Sequence, residues 1–416
     1  MIIVHYTEMM TMKNSHRKNI LASGINSSTR RLAILALAVG SFAIGTAEFA
    51  AMGLQPEMAW SSSIDIPTAS KYISAYALGV VIGAPLLAVA TAKLSRKIVL
   101  IGLMFFYALA NIASAFFSDF SILVALRFIS GLPHGIYFGL ATLVASSMVE
   151  MNERFQAVGY VMLGLTIATV LGAPGATWIG QLVGWQTAFI LVGAIALLCC
   201  LLVWKFLPSG LNISKTSPLR ELGALKQKQV WFLLTMVAVG ASGLFSVFTY
   251  IKSTLMHISG VPLDWVPFIM PLVGLGMVVG NILGPKFAVK IGTSPMIFFS
   301  MFWSASVFFL FFFLSYTPLT AALGCFLVGT SFAAMPSIQT KIMDVALHGQ
   351  ILAGALMQSA FNIANALGAE SGAWVLNLGY SYEYTAVLGG ILTLCGLLIF
   401  CFSWYVEKRA QPFFRY

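Results

Sequence analysis

Apolar residues in this chain come in long unbroken runs, and polar residues are confined to the short stretches between them. The runs occupy residues 32–55, 71–91, 98–118, 121–148, 155–180 and 186–207, then 230–254, 264–284, 294–315, 318–341, 350–376 and 383–406. Each is long enough to cross a hydrocarbon layer about 30 Å thick, which takes roughly 20 residues of helix. Lipid offers no partner for a backbone amide or carbonyl, so spans of this kind are helices. The strands of a closed barrel would alternate polar with apolar residues instead of running apolar throughout. The pattern predicts an all-α membrane protein with twelve transmembrane helices.

The longest polar connection, residues 208–229, falls between the sixth and seventh spans. It divides the chain into a polar tail at 1–30, a six-helix bundle at 31–207, a linker at 208–229, a second six-helix bundle at 230–406 and a short tail at 407–416. The halves share a further device. Span five carries Gly164, Ala168, Gly172, Ala176 and Gly180 at every fourth position, and span eleven carries Ala360, Ala364, Gly368 and Gly372. A stripe without side chains lets helix backbones approach closely in lipid, where the hydrophobic effect supplies little association force. The same stripe at the same ordinal place in both halves points to two pseudo-symmetric bundles with a cavity between them. Pro174 lacks an amide hydrogen, which predicts a bend in span five.

Composition agrees: 59% of residues are hydrophobic, 9% are charged and mean hydropathy is +0.91, against roughly 25% charged in soluble domains. The five cysteines lie inside apolar runs without metal-ligand or disulfide spacing and read as small apolar side chains. No compact apolar run ending in a cleavage site precedes the first span, so no cleaved signal peptide is expected. The net charge is +10. Of the 23 basic residues, twenty fall on the side of the membrane shared by the two termini and the even-to-odd loops, among them Arg30, Arg31, Lys93, Arg96, Lys97 and Arg154. Lys71 and Lys252 lie near the other side, and Arg127 lies within a span. The positive-inside rule then places both termini in the cytoplasm. The charge is a signal of topology and of attraction to anionic lipid headgroups. No basic stripe with interleaved aromatics points to nucleic acid.

Glu48 in span one and Arg127 in span four are the informative charges. Either one, ionised and facing lipid, would cost at least about 2.5 kcal/mol, so both are expected to face protein or an aqueous cavity, at compatible depths. Glu48 reads either as a reversible proton carrier or as one half of a permanent ion pair. His134 follows Arg127 by two helical turns on the same face and reads as a partner in proton traffic or as a packing histidine. Glu370 is a weaker candidate, with Lys252 as a possible counterpart. Asn111, Gln339, Gln358, Asn362 and Asn365 are candidates to line a cavity or join helices, and Tyr76, Phe138, Phe245 and Phe248 to form an apolar cavity wall. No metal cluster, phosphate loop, nucleophile constellation or cofactor motif occurs, which argues against an enzyme and against an ATP-driven pump within one chain.

Several stretches together resemble a known family. They are Gly45–Leu54 (GTAEFAAMGL), Ser74–Pro85 (SAYALGVVIGAP), Arg127–Gly135 (RFISGLPHG), Leu163–Thr177 (LGLTIATVLGAPGAT), Gly184–Phe189 (GWQTAF) and Val273–Asn281 (VGLGMVVGN). Across residues 32–406 the chain resembles the major facilitator superfamily, within it the drug and sugar efflux branch of drug:proton antiporters, and there the arabinose-inducible exporter-like proteins. The resemblance implies a monomeric inner-membrane transporter that exports a small organic solute, a sugar or a drug-like compound, by proton antiport. A proton-independent facilitator or importer is the alternative within that class, and a membrane solute sensor is the alternative outside it. The loop between spans two and three departs from the family pattern. Ala92–Lys97 keeps the gating residues Lys93 and Arg96, but has Ala92 where the family has aspartate and Ser95 where it has glycine. An ion pair that holds the cytoplasmic face closed cannot use Ala92, so another contact must do that work or closure is weaker.

Overall fold

The computed structural model describes residues 26–64, 66–209, 221–346 and 349–410. Most of the polar tail at 1–30, half of the linker at 208–229 and the last six residues lie outside the described residues. So do the basic residues Lys13, Arg17, Lys18, Lys215, Arg220 and Arg415.

Twelve helices are long and apolar enough to cross a membrane. In the first half they are Ser27–Gly53, Lys71–Thr91, Arg96–Ser114, Phe120–Ser147, Met151–Val183 and Trp185–Phe206. In the second half they are Lys228–His257, Phe268–Ile291, Thr293–Leu314, Pro318–Val345, Gln350–Asn377 and Tyr384–Arg409. Spans one, five and eight differ most from the limits read along the sequence, because helix takes in polar residues at 27–31, 151–154 and 285–291 that the apolar pattern does not count, while span three stops at Ser114, four residues before its expected end. Local chemistry explains several ends. Asp119 caps span four by accepting from the Ile122 amide at 2.9 Å, and Thr317 caps span ten in the corresponding place. Gly184 separates spans five and six with a φ of +121°, which a side chain would oppose.

The halves repeat one packing scheme. Span one packs on spans five and six, span two on span four, and span three on span six; spans seven to twelve repeat each pairing in order. Missing side chains make these pairings possible. A Cβ on Gly164 would lie 2.1 Å from the Ala38 carbonyl oxygen, and one on Gly172 2.1 Å from Thr46 Oγ1, so the span-five stripe is pressed against span one. In the second half a Cβ on Gly368 would lie 2.5 Å from the Ser242 carbonyl oxygen, and one on Gly372 2.4 Å from the Tyr250 ring, which presses span eleven against span seven. A second such contact had no counterpart in the sequence reading. A Cβ built on Gly79 of span two would lie 2.1 Å from the Phe128 carbonyl oxygen of span four and one on Gly131 2.2 Å from that of Tyr76, and Gly276 of span eight and Gly329 of span ten meet the Phe326 and Val273 carbonyls in the same way at 2.0 and 1.9 Å.

Span five is not a uniform helix. Ala168–Gly172 forms a widened turn, and Pro174 sits at the start of the helical segment Ala173–Val183 that follows. The missing proline amide thus falls where the helix has already let one turn of its hydrogen bonding slip.

The bundles meet along spans two, four and five of the first and eight, ten and eleven of the second. Hydrogen bonds across this seam include Gln339 Nε2 to Thr142 Oγ1 at 3.2 Å, Asn281 Nδ2 to the Gly159 carbonyl at 3.1 Å and Ser359 Oγ to the Val80 carbonyl at 3.4 Å. At the face that carries the basic loops, Arg154 Nη2 pairs with Asp344 Oδ1 at 2.9 Å. The seam is therefore closed from that basic face to mid-span.

Gly172→Leu forces a branched side chain against Thr46 and Phe42. It is expected to destabilise the protein by about 1–3 kcal/mol, the usual cost of overpacking, read as a fall in midpoint on thermal unfolding in detergent. Gly175→Leu, at a position with nothing within 4 Å of a built Cβ, is expected to leave the midpoint near wild type.

Candidate functional site: a buried ionisable cluster in the first bundle

Three of the expected site residues come together around one aromatic ring. Arg127 of span four is 1% exposed, and its guanidinium carbon lies 4.4 Å from the Tyr76 ring centre and 5.5 Å from that of Phe189. The Tyr76 hydroxyl is hydrogen-bonded to His134 Nδ1 at 3.0 Å. Arg127 and His134 are two turns apart on span four, and Tyr76 projects from span two between them, so the two spans clamp the group. Their close approach depends on the Gly79–Gly131 contact: with side chains there, Tyr76 would not reach span four. His134 packs in turn on Phe138, with ring centres 5.3 Å apart.

Glu48 of span one and Tyr107 of span three complete the cluster. Glu48, Tyr76, Tyr107 and Arg127 all lie within electrostatic reach of one another. Tyr107 is held by spans one and three together, its hydroxyl donating to the Ile44 carbonyl at 3.5 Å, one turn before Glu48. Asn111 bonds back to the Tyr107 carbonyl at 2.8 Å, so its amide nitrogen joins no second helix. The alternative reading of Glu48, as one half of a permanent ion pair with Arg127, finds no contact within 4.0 Å. The ion pairs within 4.0 Å among the described residues are Arg30–Glu153, Arg154–Asp344 and Lys341–Glu407, and Glu48–Arg127 is not one of them. The guanidinium instead rests on aromatic faces, an interaction worth about 2 kcal/mol or more when desolvated. Arg127 Nε and Nη1 and His134 Nε2 are buried without a hydrogen-bond partner among the described residues. The two Arg127 nitrogens are donors, and the role of His134 Nε2 follows from which nitrogen of the ring carries the proton beside Tyr76.

The other expected residues have different surroundings. Phe138 is fully buried in the first bundle, with its ring against those of His134 and Tyr137. Gln339 joins the bundles across the seam. Gln358 and Asn362 are buried on span eleven, where Asn362 Nδ2 donates to the Gln358 carbonyl at 3.0 Å, and Asn365 is half-buried one turn on. Phe245 and Phe361 meet edge to face at 4.9 Å, with Phe332 on Phe361 at 5.7 Å and Phe248 half-buried against the core. Glu370 and Lys252 are exposed and form no ion pair within 4.0 Å. Lys93 is exposed and Arg96 buried. A cavity of about 600 Å³ lies between spans one and five toward the basic face, lined by Arg30, Leu35, Phe42, Tyr160 and Leu163 among others. Leu35 and Tyr160 are exposed outward, and none of the ionisable cluster lines this space, so it is a groove on the lipid side. No group of three or more His, Cys, Asp or Glu among the described residues is placed to hold a metal ion.

Twelve spans packed as two bundles of six define a polytopic membrane protein. Residues 37–369 match the family model of the Major Facilitator Superfamily, and the chain belongs to that family. It is 34% identical over 380 residues to the inner membrane transport protein YdhP of Escherichia coli K12, covering 91% of this chain and 96% of that protein. It is 27% identical over 398 residues to a probable sugar efflux transporter of Helicobacter pylori, covering 94% and 97%. Among solved structures it superposes on the major facilitator transporter FucP in the outward conformation, with a TM-score of 0.70, 13% identity and coverage of 90% and 98%. At that identity the likeness is one of fold.

Tyr76→Phe keeps the ring beneath Arg127 and removes the hydroxyl that bonds His134. It is expected to destabilise the protein by about 1–3 kcal/mol, because a buried histidine nitrogen loses its partner, and His134→Phe in the same background is expected to add less than it does alone. A double-mutant cycle of unfolding midpoints checks the coupling.

Proposed function

We propose that this protein is a secondary transporter of the bacterial inner membrane that exports a small organic solute, a sugar or an amphipathic drug-like compound, in exchange for protons. It works as a monomer, with the basic face and both termini in the cytoplasm. The observation that carries this reading is the cluster of Glu48, Tyr76, Arg127 and His134: a carboxylate, a guanidinium and an imidazole inside membrane spans, without a permanent ion pair between the acid and the cation. A carboxylate so placed can take up and release a proton without first breaking a salt bridge, and a nearby fixed cation biases which form it holds.

The bundles divide the work. Charge lies in the first bundle, and the second presents the aromatic group Phe245, Phe332 and Phe361 with the amides of Gln358 and Asn362 on span eleven. An apolar wall with a few amides suits an amphipathic solute or the faces and hydroxyls of a sugar. The family's architecture supports alternating access, in which one bundle rocks against the other. One proton moving inward through 100 mV releases about 2.3 kcal/mol, enough to drive a neutral solute outward against a substantial gradient. The efflux function in the name of the Helicobacter relative supports the outward direction.

In vesicles with an imposed pH gradient, Glu48→Gln keeps the size of the side chain and fixes its charge at zero. It is expected to retain solute binding and to lose most of the gradient-driven flux, by about tenfold or more. Full pH-driven flux in the glutamine form would remove Glu48 from the coupling path, and flux indifferent to the gradient in wild type would make the protein a facilitator. Reporter fusions test the topology: one after Ser62 is expected to report the periplasm and one at the C-terminus the cytoplasm, and the reverse result would invert the proposed orientation.

A further inference from the structure

Glu221 is the one acid buried on the basic face among the described residues, at 1% exposure, and it comes from the connection between the bundles. Burying a carboxylate is costly unless donors surround it. Its Oε2 accepts from the Leu352 amide at 3.2 Å, across 131 residues of chain. Leu352 lies in the first turn of span eleven, whose opening amides have no acceptor within the helix and whose dipole favours a negative charge. The residue that begins this helix, Gly349, offers no side-chain cap. A Cβ on Gly349 would lie 2.4 Å from the Glu221 carbonyl oxygen and 2.6 Å from Ala224 Cβ, so the turn Leu222–Lys226 packs directly on the start of span eleven.

On its other side Glu221 is within electrostatic reach of Arg96, which belongs to the first bundle and is itself buried. Arg96 Nη1 donates to the Ala92 carbonyl at 3.3 Å. Ala92 is the position at which the family pattern has an aspartate, and it is buried beside the arginine that such an aspartate would face.

We propose that Glu221 replaces the missing acid of the loop between spans two and three, acting as a latch that ties Arg96 of the first bundle to the start of span eleven of the second while the basic face is closed. The proposal deepens the transport reading and rests on it: opening the basic face separates span eleven from Arg96, so Glu221 must give up one of its two partners. A carboxylate held by the linker, in place of one fixed on span two, also makes closure depend on the position of the linker. Glu221 is on this account a positioning residue that touches no solute.

Hydrogen–deuterium exchange of the peptide covering residues 349–357 reads the latch directly, without reference to flux. Glu221→Ala is expected to speed exchange at the start of span eleven by about tenfold. Adding Ala92→Asp in that background is expected to bring it back to within about threefold of wild type. If the alanine form does not accumulate, Glu221→Gln keeps an acceptor oxygen and loses the charge, and it is expected to speed exchange by about threefold. Wild-type exchange in Glu221→Ala or Glu221→Gln would overturn the proposal, and so would faster exchange that Ala92→Asp leaves unchanged. A protein that shows the expected pattern but moves no solute contradicts the transport reading alone; one that transports with an unaltered pattern contradicts the latch alone.

Discussion

The structure depends on one constraint: helices in lipid gain little from burying apolar side chains against each other, so they must be held by backbone-level contact. This chain meets that constraint by omitting Cβ atoms. Span five lies on span one through Gly164 and Gly172, and span eleven on span seven through Gly368 and Gly372. Span two lies on span four through Gly79 and Gly131, and span eight on span ten through Gly276 and Gly329. The same two pairings in each half make each bundle a stiff unit. The seam between bundles is built differently, from side-chain hydrogen bonds and an exposed ion pair, which are individually weak and can be remade.

The ionisable cluster follows from that stiffness. Arg127 can stay buried because Tyr76 and Phe189 present their ring faces to it, and Tyr76 is in place because spans two and four touch backbone to backbone. The arginine is thus held without a counter-carboxylate, and Glu48 is left free of a permanent partner. A bundle that satisfied Arg127 with a salt bridge to Glu48 would be simpler to stabilise, but its proton site would be locked.

The twelve spans, the six-plus-six division and the paired small-residue stripes of spans five and eleven were legible in the sequence, because each is a periodic pattern and lipid admits few ways to satisfy it. The glycine contacts of spans two and four were not singled out as packing devices, although Gly79 and Gly131 lie within stretches that resembled the family. Their meaning depends on which helix faces which, and that information is not local. Glu48, Arg127 and His134 stood out as charges in apolar runs, while Tyr107 and Phe189 did not, since the chain holds 32 phenylalanines and 13 tyrosines and only the fold selects among them. Glu221 was hidden in a polar linker, where an acid is ordinary until a helix start is found on top of it. The absence of an acid at Ala92 was visible; its replacement was not.

The account's central claim is that two rigid bundles exchange closure at the basic face for closure at the opposite face. Spin-label distances in lipid vesicles test it most directly, with one pair at the exposed Leu94 and Lys290 on the basic face and another at Trp60 and Leu319 on the other side. As pH is changed across the range in which the acid titrates, the account predicts opposite changes: the first distance lengthens as the second shortens, with populations that shift together. Two distances that stay fixed, or that lengthen and shorten in step, would contradict it.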